Sequence, residues 1–455
     1  METAPVTGIP RTTGIIAFAQ PSPSAQFRNA HVARKGVGSS GLRARFTLGP
    51  SWAGLGIHGV PPDTQLAVNS KWVVEFINTT ADVFNRSGTL VKSFDLGSLF
   101  TGKPGQGGDP KILFDAKSGD FFASYIAKFT RPSGPSQVDV AVSSNPTGAW
   151  FIYDVHNEPI LQDQPKLGIS VNKITIAWND NGNSGPEEFK VIRKAAVVAH
   201  ASNAPGVIWG PDSSRLNVVP AIQLSNSGAA YAVYHNYGSS TVGVLTFTGV
   251  PGSSSTTYSE SDLSIIGTSA PPAAVQPSAG GKASPTLDTG DDRLESAVWY
   301  NGTLWTAGND VCRYAGDTAL RACLRIIDIY TPSMTLVHDV DVSMIGGDVM
   351  YPALTIDTRS DLWIAFSSSS LTQPATSNIA EAPGGNTSAF VGPTPYHWGS
   401  GVINYKSCTK PPSQRFGDYS GIAVDPATQD LGVWAATEYA VPGCSYGTEI
   451  ESFSP

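Results

Sequence analysis

The sequence has few charged residues and no long apolar run. Asp, Glu, Lys and Arg together make up 15% of its 455 residues, and the formal net charge at pH 7 is −8. A nucleic-acid-binding protein needs a basic surface to neutralise phosphates, and a membrane-spanning helix needs about 18 or more consecutive apolar residues. Because the sequence has neither, we expect no nucleic-acid partner and no insertion into a membrane.

The common motifs of cofactor and metal sites are also missing. There is no Walker loop, no G-x-G-x-x-G before a helix, no H-E-x-x-H and no G-x-S-x-G. The segment 179–185 is rich in Asn, but it lacks the glycine position and the bidentate glutamate of an EF-hand calcium loop. The sequence therefore predicts no cofactor and no metal site.

Cysteine is scarce, with four residues in the chain. Cys312 and Cys323 lie on either side of a glycine-containing turn, and Cys408 and Cys444 flank two neighbouring predicted strands, so two disulfides leave no cysteine over. Four buried free thiols are the alternative. Because disulfides persist in oxidising compartments, we expect a secreted or cell-surface protein whose signal peptide is absent from this chain.

Glycine, proline and aromatic residues are abundant, with 47 Gly, 34 Pro, 10 Trp, 15 Tyr and 18 Phe. Such a composition is typical of a loop-rich globular protein with a large core. A short apolar strand, often led by proline, is followed seven times by a turn and a second strand rich in aromatic residues. The leading strands are predicted at 64–69, 110–115, 165–170, 220–225, 285–288, 352–357 and 420–425.

These repeats predict an all-β fold, a single β-propeller of seven four-stranded blades, with six blades as the alternative. About 59 residues separate successive repeats, which suits four antiparallel strands with long loops. We predict that residues 61–455 form the propeller and that the N-terminal segment 1–60 closes the last blade, with a strand from 14–19 or 43–48. The stretch 252–283 is predicted to be a long loop, and we expect a monomer.

Several short motifs carry a resemblance to a known family. The segment Ser143–Trp150 (SSNPTGAW) resembles an Asp-box, the S-x-D-x-G-x-T-W turn of sialidase blades, with Asn145 in place of the aspartate. Over about residues 60 to 450 the chain resembles secreted bacterial sialidase-like propeller proteins, many without assigned activity. The further motifs that carry this resemblance are PPDT at 61–64, GDP at 108–110, DQP at 163–165, YPA at 351–353, FSSSS at 366–370 and RFGDYS at 415–420.

The resemblance implies a propeller fold and sugar ligands. The arginine triad, tyrosine–glutamate pair and catalytic aspartate of sialidases proper do not map onto this sequence residue by residue. The candidate site therefore has to be found from the position of polar residues in the predicted blades.

Loops before the first strand of each blade and loops after its second strand converge on one face of a propeller, so polar residues there are expected to form one axial funnel. Glu438 ends an apolar strand, where a carboxylate is costly to bury alone, and Arg415 is its expected partner. Taken singly, Asp63, Asp109 and Asp163 each have the alternative role of a turn cap, and the Glu438–Arg415 pair has the alternative role of a structural salt bridge. The predicted catalytic residues are Glu438, Asp418, Asp109 and Tyr351, and the predicted substrate-binding residues are Arg415, Asp63, Asp163, His235 and Tyr439.

Three functions fit this set of residues. Glycoside hydrolysis needs one protonated and one ionised carboxyl group, which a crowded ring of carboxylates supplies. Polysaccharide elimination needs a base such as Tyr351 or His235 beside Arg415, which would neutralise a uronate. The third is a non-catalytic propeller that binds glycans or proteins. We predict a carbohydrate-active propeller acting on an acidic glycan, with hydrolase ahead of lyase.

Overall fold

The computed structural model describes residues 12–20, 46–56, 59–128, 134–182, 184–314, 316–404, 415–443 and 445–454. The predicted all-β class is confirmed, because strands dominate and the α-helices of the described residues are two short ones, α1 (Leu96–Thr101) and α2 (Lys194–Val198). No helix in these ranges has the length and apolarity needed to cross a membrane. The strands are β1 (Thr12–Phe18), β2 (Thr47–Ala53), β3 (Gln65–Val68), β4 (Trp72–Ile77), β5 (Thr80–Asn85), β6 (Leu90–Asp95), β7 (Gly108–Asp115), β8 (Asp120–Ala127), β9 (Gln137–Ser143), β10 (Phe151–Asn157), β11 (Gln162–Ile169), β12 (Lys173–Asp180), β13 (Glu187–Arg193), β14 (Gly206–Asp212), β15 (Val219–Pro220), β16 (Ile222–Gln223), β17 (Ala230–Tyr234), β18 (Thr241–Thr248), β19 (Thr257–Ser264), β20 (Leu294–Tyr300), β21 (Thr303–Cys312), β22 (Arg321–Tyr330), β23 (Thr335–Met344), β24 (Gly347–Ile356), β25 (Leu362–Ser370), β26 (Thr376–Ala382), β27 (Val391–His397), β28 (Gly421–Asp425), β29 (Gly432–Val441) and β30 (Ser445–Ser454).

Successive strands pair in antiparallel groups of four along the chain. The groups are β3 to β6, β7 to β10, β11 to β14, β15 with β17 to β19, β20 to β23, β24 to β27, and β28 to β30 with β2. Short bridges join some of these groups, among them the parallel pairs of Ile222 with Ile169 and with Val298. The first strands of the groups lie side by side in chain order, and β28 of the last group lies beside β3 of the first.

Position within a group determines which residues a strand carries. The second strand β12 (KITIAWND) is buried along its whole length, because neighbouring groups pack against both of its faces. Fourth strands such as β14 alternate between exposed and partly buried positions, so they need few apolar residues. The core is accordingly divided into layers between neighbouring groups, including a layer in which Trp434 of the last group packs with Val73 of the first.

The N-terminal segment supplies a strand to the last group. β2 pairs with β30, and Phe46, just before it, packs edge-on against Trp363 and Phe453. This strand overlaps the predicted 43–48 segment, of which residues 43–45 lie outside the described residues. The other predicted segment contributes β1, which pairs in parallel with β23 of the fifth group.

Two sequence predictions require correction. Residues 285–288 do not form the first strand of the fifth group, which is β20 (Leu294–Tyr300); Leu287 makes only an isolated bridge to Ala274. The predicted loop 252–283 contains β19, whose polar sequence TYSESDLS suits an exposed outer strand. Both errors arise from reading strands by apolar content, which differs between the inner and outer positions of a sheet.

One predicted disulfide is confirmed. Cys312 and Cys323 are bonded, with their Cα atoms 5.9 Å apart, and they join the neighbouring strands β21 and β22. Cys408 and Cys444, the other predicted pair, lie outside the described residues.

Candidate active site

Several predicted site residues and Gln164 share an unusual backbone conformation, either shortly before the innermost strands or within them. Positive φ angles are disfavoured for residues other than glycine, and they cluster at functional sites. The recurrence of this conformation at equivalent places brings polar side chains from different sheets to one end of the fold. The residues and their φ angles are Asp63 (56°), Asp109 (47°), Gln164 (52°), Tyr351 (57°) and Asp418 (79°).

A cleft of about 330 Å³ lies at this end of the fold. Three of the nine predicted site residues, Tyr351, Arg415 and Asp418, line it together with residues that include part of the loop before β20. The cleft is lined by Gln164, Asp288, Gly290, Asp291, Arg293, Glu295, Tyr351, Arg415, Asp418 and Tyr419.

Four aspartates form an acidic cluster at the cleft. Burial, with the charges of Asp109 and Asp418 adding to it, raises the pKa of Asp63 well above its ordinary value. Burial and then the charge of Asp418 raise the pKa of Asp109. Burial and the charge of Asp109 raise the pKa of Asp163 to about 7. Burial also raises the pKa of Asp418, to about 6, although the charge of Arg415 opposes this rise. The structure thus brings Asp63, Asp109 and Asp163 close to one another and to Asp418, and of these four Asp418 lines the cleft.

Glu295 lies where the cleft meets a second, more apolar cavity bounded by the innermost strands. Burial raises its pKa to about 8 despite the charges of Arg293, Lys166 and Lys111. Its Oε2 atom has no hydrogen-bond partner among the described residues. Glu295 is therefore a buried carboxyl group that is mostly protonated at neutral pH.

Two lysines flank Glu295. Lys166 donates a hydrogen bond from Nζ to Oδ1 of Asn217, and the Nζ of Lys111 lies 3.7 Å from the ring centroid of Tyr419. Burial lowers the pKa of Lys111 to about 8. Neither lysine was predicted from the sequence, and nor was Glu295, although DPK at 109–111 and QPK at 164–166 place a lysine at the same point of two successive repeats.

The expected ion pair between Arg415 and Glu438 is not formed. Arg415 pairs with Asp418 instead, three residues along the same loop. Glu438 is fully buried, and neither of its carboxylate oxygens has a well-formed hydrogen bond to a described residue. Thr64 nevertheless lies close enough to stabilise the charged form of this carboxyl group. Burial outweighs this stabilisation and raises the pKa of Glu438 to about 7.

Tyr351 is held in place by its backbone. Its N–H donates to Oδ1 of Asn309 at 2.8 Å, and its carbonyl accepts from the Ser420 hydroxyl at 2.7 Å. The ring packs so closely on Gly417 that a Cβ there would lie 2.1 Å from Cδ2 of Tyr351. The hydroxyl of Tyr351 is buried and has no partner in the described ranges, and burial raises its pKa well above the ordinary value.

Arg293 is the other arginine of the cleft. Its Nε and Nη2 atoms donate to the two carboxylate oxygens of Asp291, each at 2.6 Å, and Nη2 also donates to the Tyr237 hydroxyl at 2.7 Å. Its Nη1 donates to Gln164. Arg293 is thus fixed by three neighbours, and no feature of the repeat pointed to it.

His235 and Tyr439, two predicted substrate-binding residues, are not among the residues that line the cleft. His235 is buried and hydrogen-bonds with the Thr241 carbonyl and the Thr268 hydroxyl, and Thr268 in turn donates to Asp292. Tyr439 stacks on His397, with ring centroids 3.7 Å apart. His235 therefore supports the loop behind Arg293, and Tyr439 packs on another side chain.

The described residues contain no group of three or more His, Cys, Asp or Glu side chains arranged to hold a metal ion. The acidic cluster lies close to four cationic side chains, Arg293, Arg415, Lys111 and Lys166. The site is thus a set of interacting acids and bases.

No protein-family model and no curated protein matches the chain. Among solved structures, it is similar to the Hadza microbial sialidase Hz136, at 13% identity and a TM-score of 0.41, over 69% of this chain and 66% of that one. It is also similar to the Trypanosoma rangeli sialidase, at 9% identity and a TM-score of 0.38, over 88% of this chain and 59% of that one. A polysaccharide lyase, the PL25 ulvan lyase, matches at 10% identity and a TM-score of 0.32, over 84% of this chain and 79% of that one. The chain spans less than two thirds of the length of the two sialidases, and at these TM-scores the likenesses contribute nothing to the proposals below.

Proposed function

We propose that the chain is a seven-bladed propeller closed by β2 and that its cleft hydrolyses glycosidic bonds. The observation that carries the proposal is a pair of carboxyl groups in one cleft with different pKa values, about 6 for Asp418 and about 8 for Glu295. Near pH 7 the first is mainly ionised and the second mainly protonated. Such a division is what glycoside hydrolysis requires of its two carboxyl groups.

In this proposal Glu295 is the general acid. It donates its proton to the oxygen of the departing sugar, and Asp418 acts on the anomeric carbon either as the nucleophile or through an activated water. Arg415 keeps Asp418 ionised by pairing with it. Asp63, Asp109, Asp163 and Glu438 are proposed to surround the site and set its electrostatic potential.

Hydrolysis is favoured over elimination because both candidate bases of a lyase are poorly suited. The pKa of Tyr351 is raised well above its ordinary value, whereas a general base works best with a pKa near the working pH. His235 is engaged with Thr241 and Thr268 away from the cleft lining. The cleft itself retains two carboxyl groups suited to hydrolysis.

We also propose that the protein is secreted or exposed at the cell surface and belongs to the sialidase-like propellers. The Cys312–Cys323 disulfide supports an oxidising compartment. The turn between β9 and β10 supports a degenerate Asp-box, since Oδ1 of Asn145 accepts from both the N–H and the hydroxyl of Thr147. The charge of the glycan is a separate question, because Arg415, which was expected to bind an acidic sugar, is engaged by Asp418.

The proposal is tested by screening the purified protein against neutral, acidic and amino-sugar polysaccharides. Release of reducing ends measures hydrolysis, and absorbance of unsaturated uronates measures elimination. We expect reducing ends without unsaturated products, and loss of the signal in both Glu295→Gln and Asp418→Asn. Asp154→Asn removes an exposed carboxylate from β10 and is the matched control. Binding of a glycan without cleavage would favour the non-catalytic propeller, and unsaturated products would favour the lyase.

A further inference from the structure

The lining of the cleft has more acidic than basic side chains. Asp288, Asp291, Glu295 and Asp418 face only two cationic groups, Arg293 and Arg415. Behind them lie three aspartates, Asp63, Asp109 and Asp163, and two lysines, Lys111 and Lys166, so acidic side chains remain in excess. An anionic ligand would add a like charge to this cluster, whereas a cationic ligand would reduce its repulsion.

Both arginines are already engaged by carboxylates. Arg415 pairs with Asp418, and Arg293 donates to both oxygens of Asp291. A substrate carboxylate could bind either guanidinium only by displacing one of these partners. The cleft is therefore poorly prepared for an acidic sugar.

Asp288 stands apart from the other acidic residues of the lining. It forms no ion pair with any cation of the described residues, and its Oδ1 accepts a hydrogen bond from the Gly290 N–H at 3.0 Å. Gly290 packs against the Tyr351 ring, since a Cβ there would lie 3.4 Å from Cε1 of Tyr351. Asp288 is thus a fixed carboxylate at the cleft, beside a tyrosine and without a counter-charge.

Two buried polar atoms of the lining also lack partners in the described part of the chain. They are Oε2 of Glu295, a residue that is 7% exposed, and the hydroxyl of Tyr351, a residue that is 1% exposed. Leaving such groups without a hydrogen bond is costly in a folded protein, and functional sites are a common reason for it. Both atoms can accept hydrogen bonds, so they complement a ligand group rich in donors.

We propose that the cleft recognises a glycan that carries a protonated amine, an amino sugar, and that Asp288 pairs with its ammonium group. An ammonium group has three donors and a positive charge, which match the Asp288 carboxylate and the unpartnered Tyr351 hydroxyl. This inference rests on the proposed function for the statement that the ligand is a glycan. It replaces the acidic glycan expected from the sequence.

The test compares three tetrasaccharides of matched length: glucosamine, N-acetylglucosamine and galacturonate oligomers. Binding is measured by calorimetry at about pH 6, where an amine of this kind is protonated, and hydrolysis is followed in parallel by reducing ends. We expect the glucosamine oligomer to bind at least tenfold more tightly than the other two. Asp288→Asn should remove this preference while binding of the N-acetylated oligomer is retained, and Asp154→Asn should leave both unchanged.

The outcomes separate the two proposals. If oligomers are cleaved with no preference for the free amine, the hydrolase proposal stands and the amino-sugar inference is overturned. If the glucosamine oligomer binds through Asp288 but is not cleaved, the inference stands and the hydrolase proposal fails. Tight binding of poly-lysine without binding of the glucosamine oligomer would mean that the cleft recognises an ammonium group on a peptide, which also overturns the inference.

Discussion

Replacing Glu295 by glutamine should lower activity and raise stability at the same time. Glutamine keeps the shape of the side chain but cannot donate the proton that the proposed mechanism assigns to Glu295. General acid catalysis contributes roughly 10²–10⁴-fold to a rate, so kcat should fall by about that factor. The loss should be in kcat rather than in KM, because the proton moves only in the transition state.

The stability effect follows from the pKa of Glu295. Its value is about 8 in the folded protein, against an ordinary value of 4.5. Between these two pH values the folded chain binds a proton that the unfolded chain does not, so stability falls as the pH rises and the effect levels off above pH 8. At pH 7, about 2.5 pH units above the ordinary value, the cost is about 3 kcal/mol at roughly 1.36 kcal/mol per unit. The glutamine variant never carries the charge and avoids this cost.

Denaturant unfolding of the wild type and Glu295→Gln at pH 4.5 and pH 7 measures the effect. We expect nearly equal free energies of unfolding at pH 4.5 and a more stable variant at pH 7. Glu158→Gln, at a glutamate whose side chain is 50% exposed, is the control and should change neither stability nor kcat. A Glu295→Gln variant that keeps full activity, or that is less stable than the wild type at pH 7, would refute the reasoning.

Three further predictions concern the acid pair, the closing strand and the backbone beneath Tyr351. The pH profile of kcat/KM should be bell-shaped, rising with the ionisation of Asp418 near pH 6 and falling with that of Glu295 near pH 8; a flat profile across this range would contradict their roles. Phe46→Ala should lower the free energy of unfolding by about 3–5 kcal/mol, because it leaves a cavity in the apolar layer that Phe46 fills. A melting temperature equal to that of the wild type would argue against closure of the last group by the N-terminal segment. Gly417→Ala should displace the Tyr351 ring and reduce ligand binding, because the added Cβ would lie 2.1 Å from that ring; an unchanged affinity would remove Tyr351 from the proposed binding site.

Sequence alone determined the strand content and pointed to three residues that line the cleft, Tyr351, Arg415 and Asp418. The repeated apolar strands led by proline gave the all-β class and placed six of the seven leading strands, because burial on both faces of an inner sheet leaves a clear apolar pattern. The same repeat located Asp63, Asp109 and Asp418, since residues at equivalent places in successive sheets meet at one end of the fold. It also gave the Cys312–Cys323 disulfide, whose cysteines are close in sequence and in neighbouring strands.

Only the tertiary structure decided which side chains act on one another. Arg415 pairs with Asp418, three residues along the same loop, and not with Glu438. Asp288 and Arg293 reach the cleft on the loop before β20, and Glu295 belongs to β20, whereas the sequence predicted the leading strand at 285–288. The pKa values that separate Glu295 from Asp418 arise from burial and from charges on several different sheets. These are properties of three-dimensional packing, and no local pattern of residues encodes them.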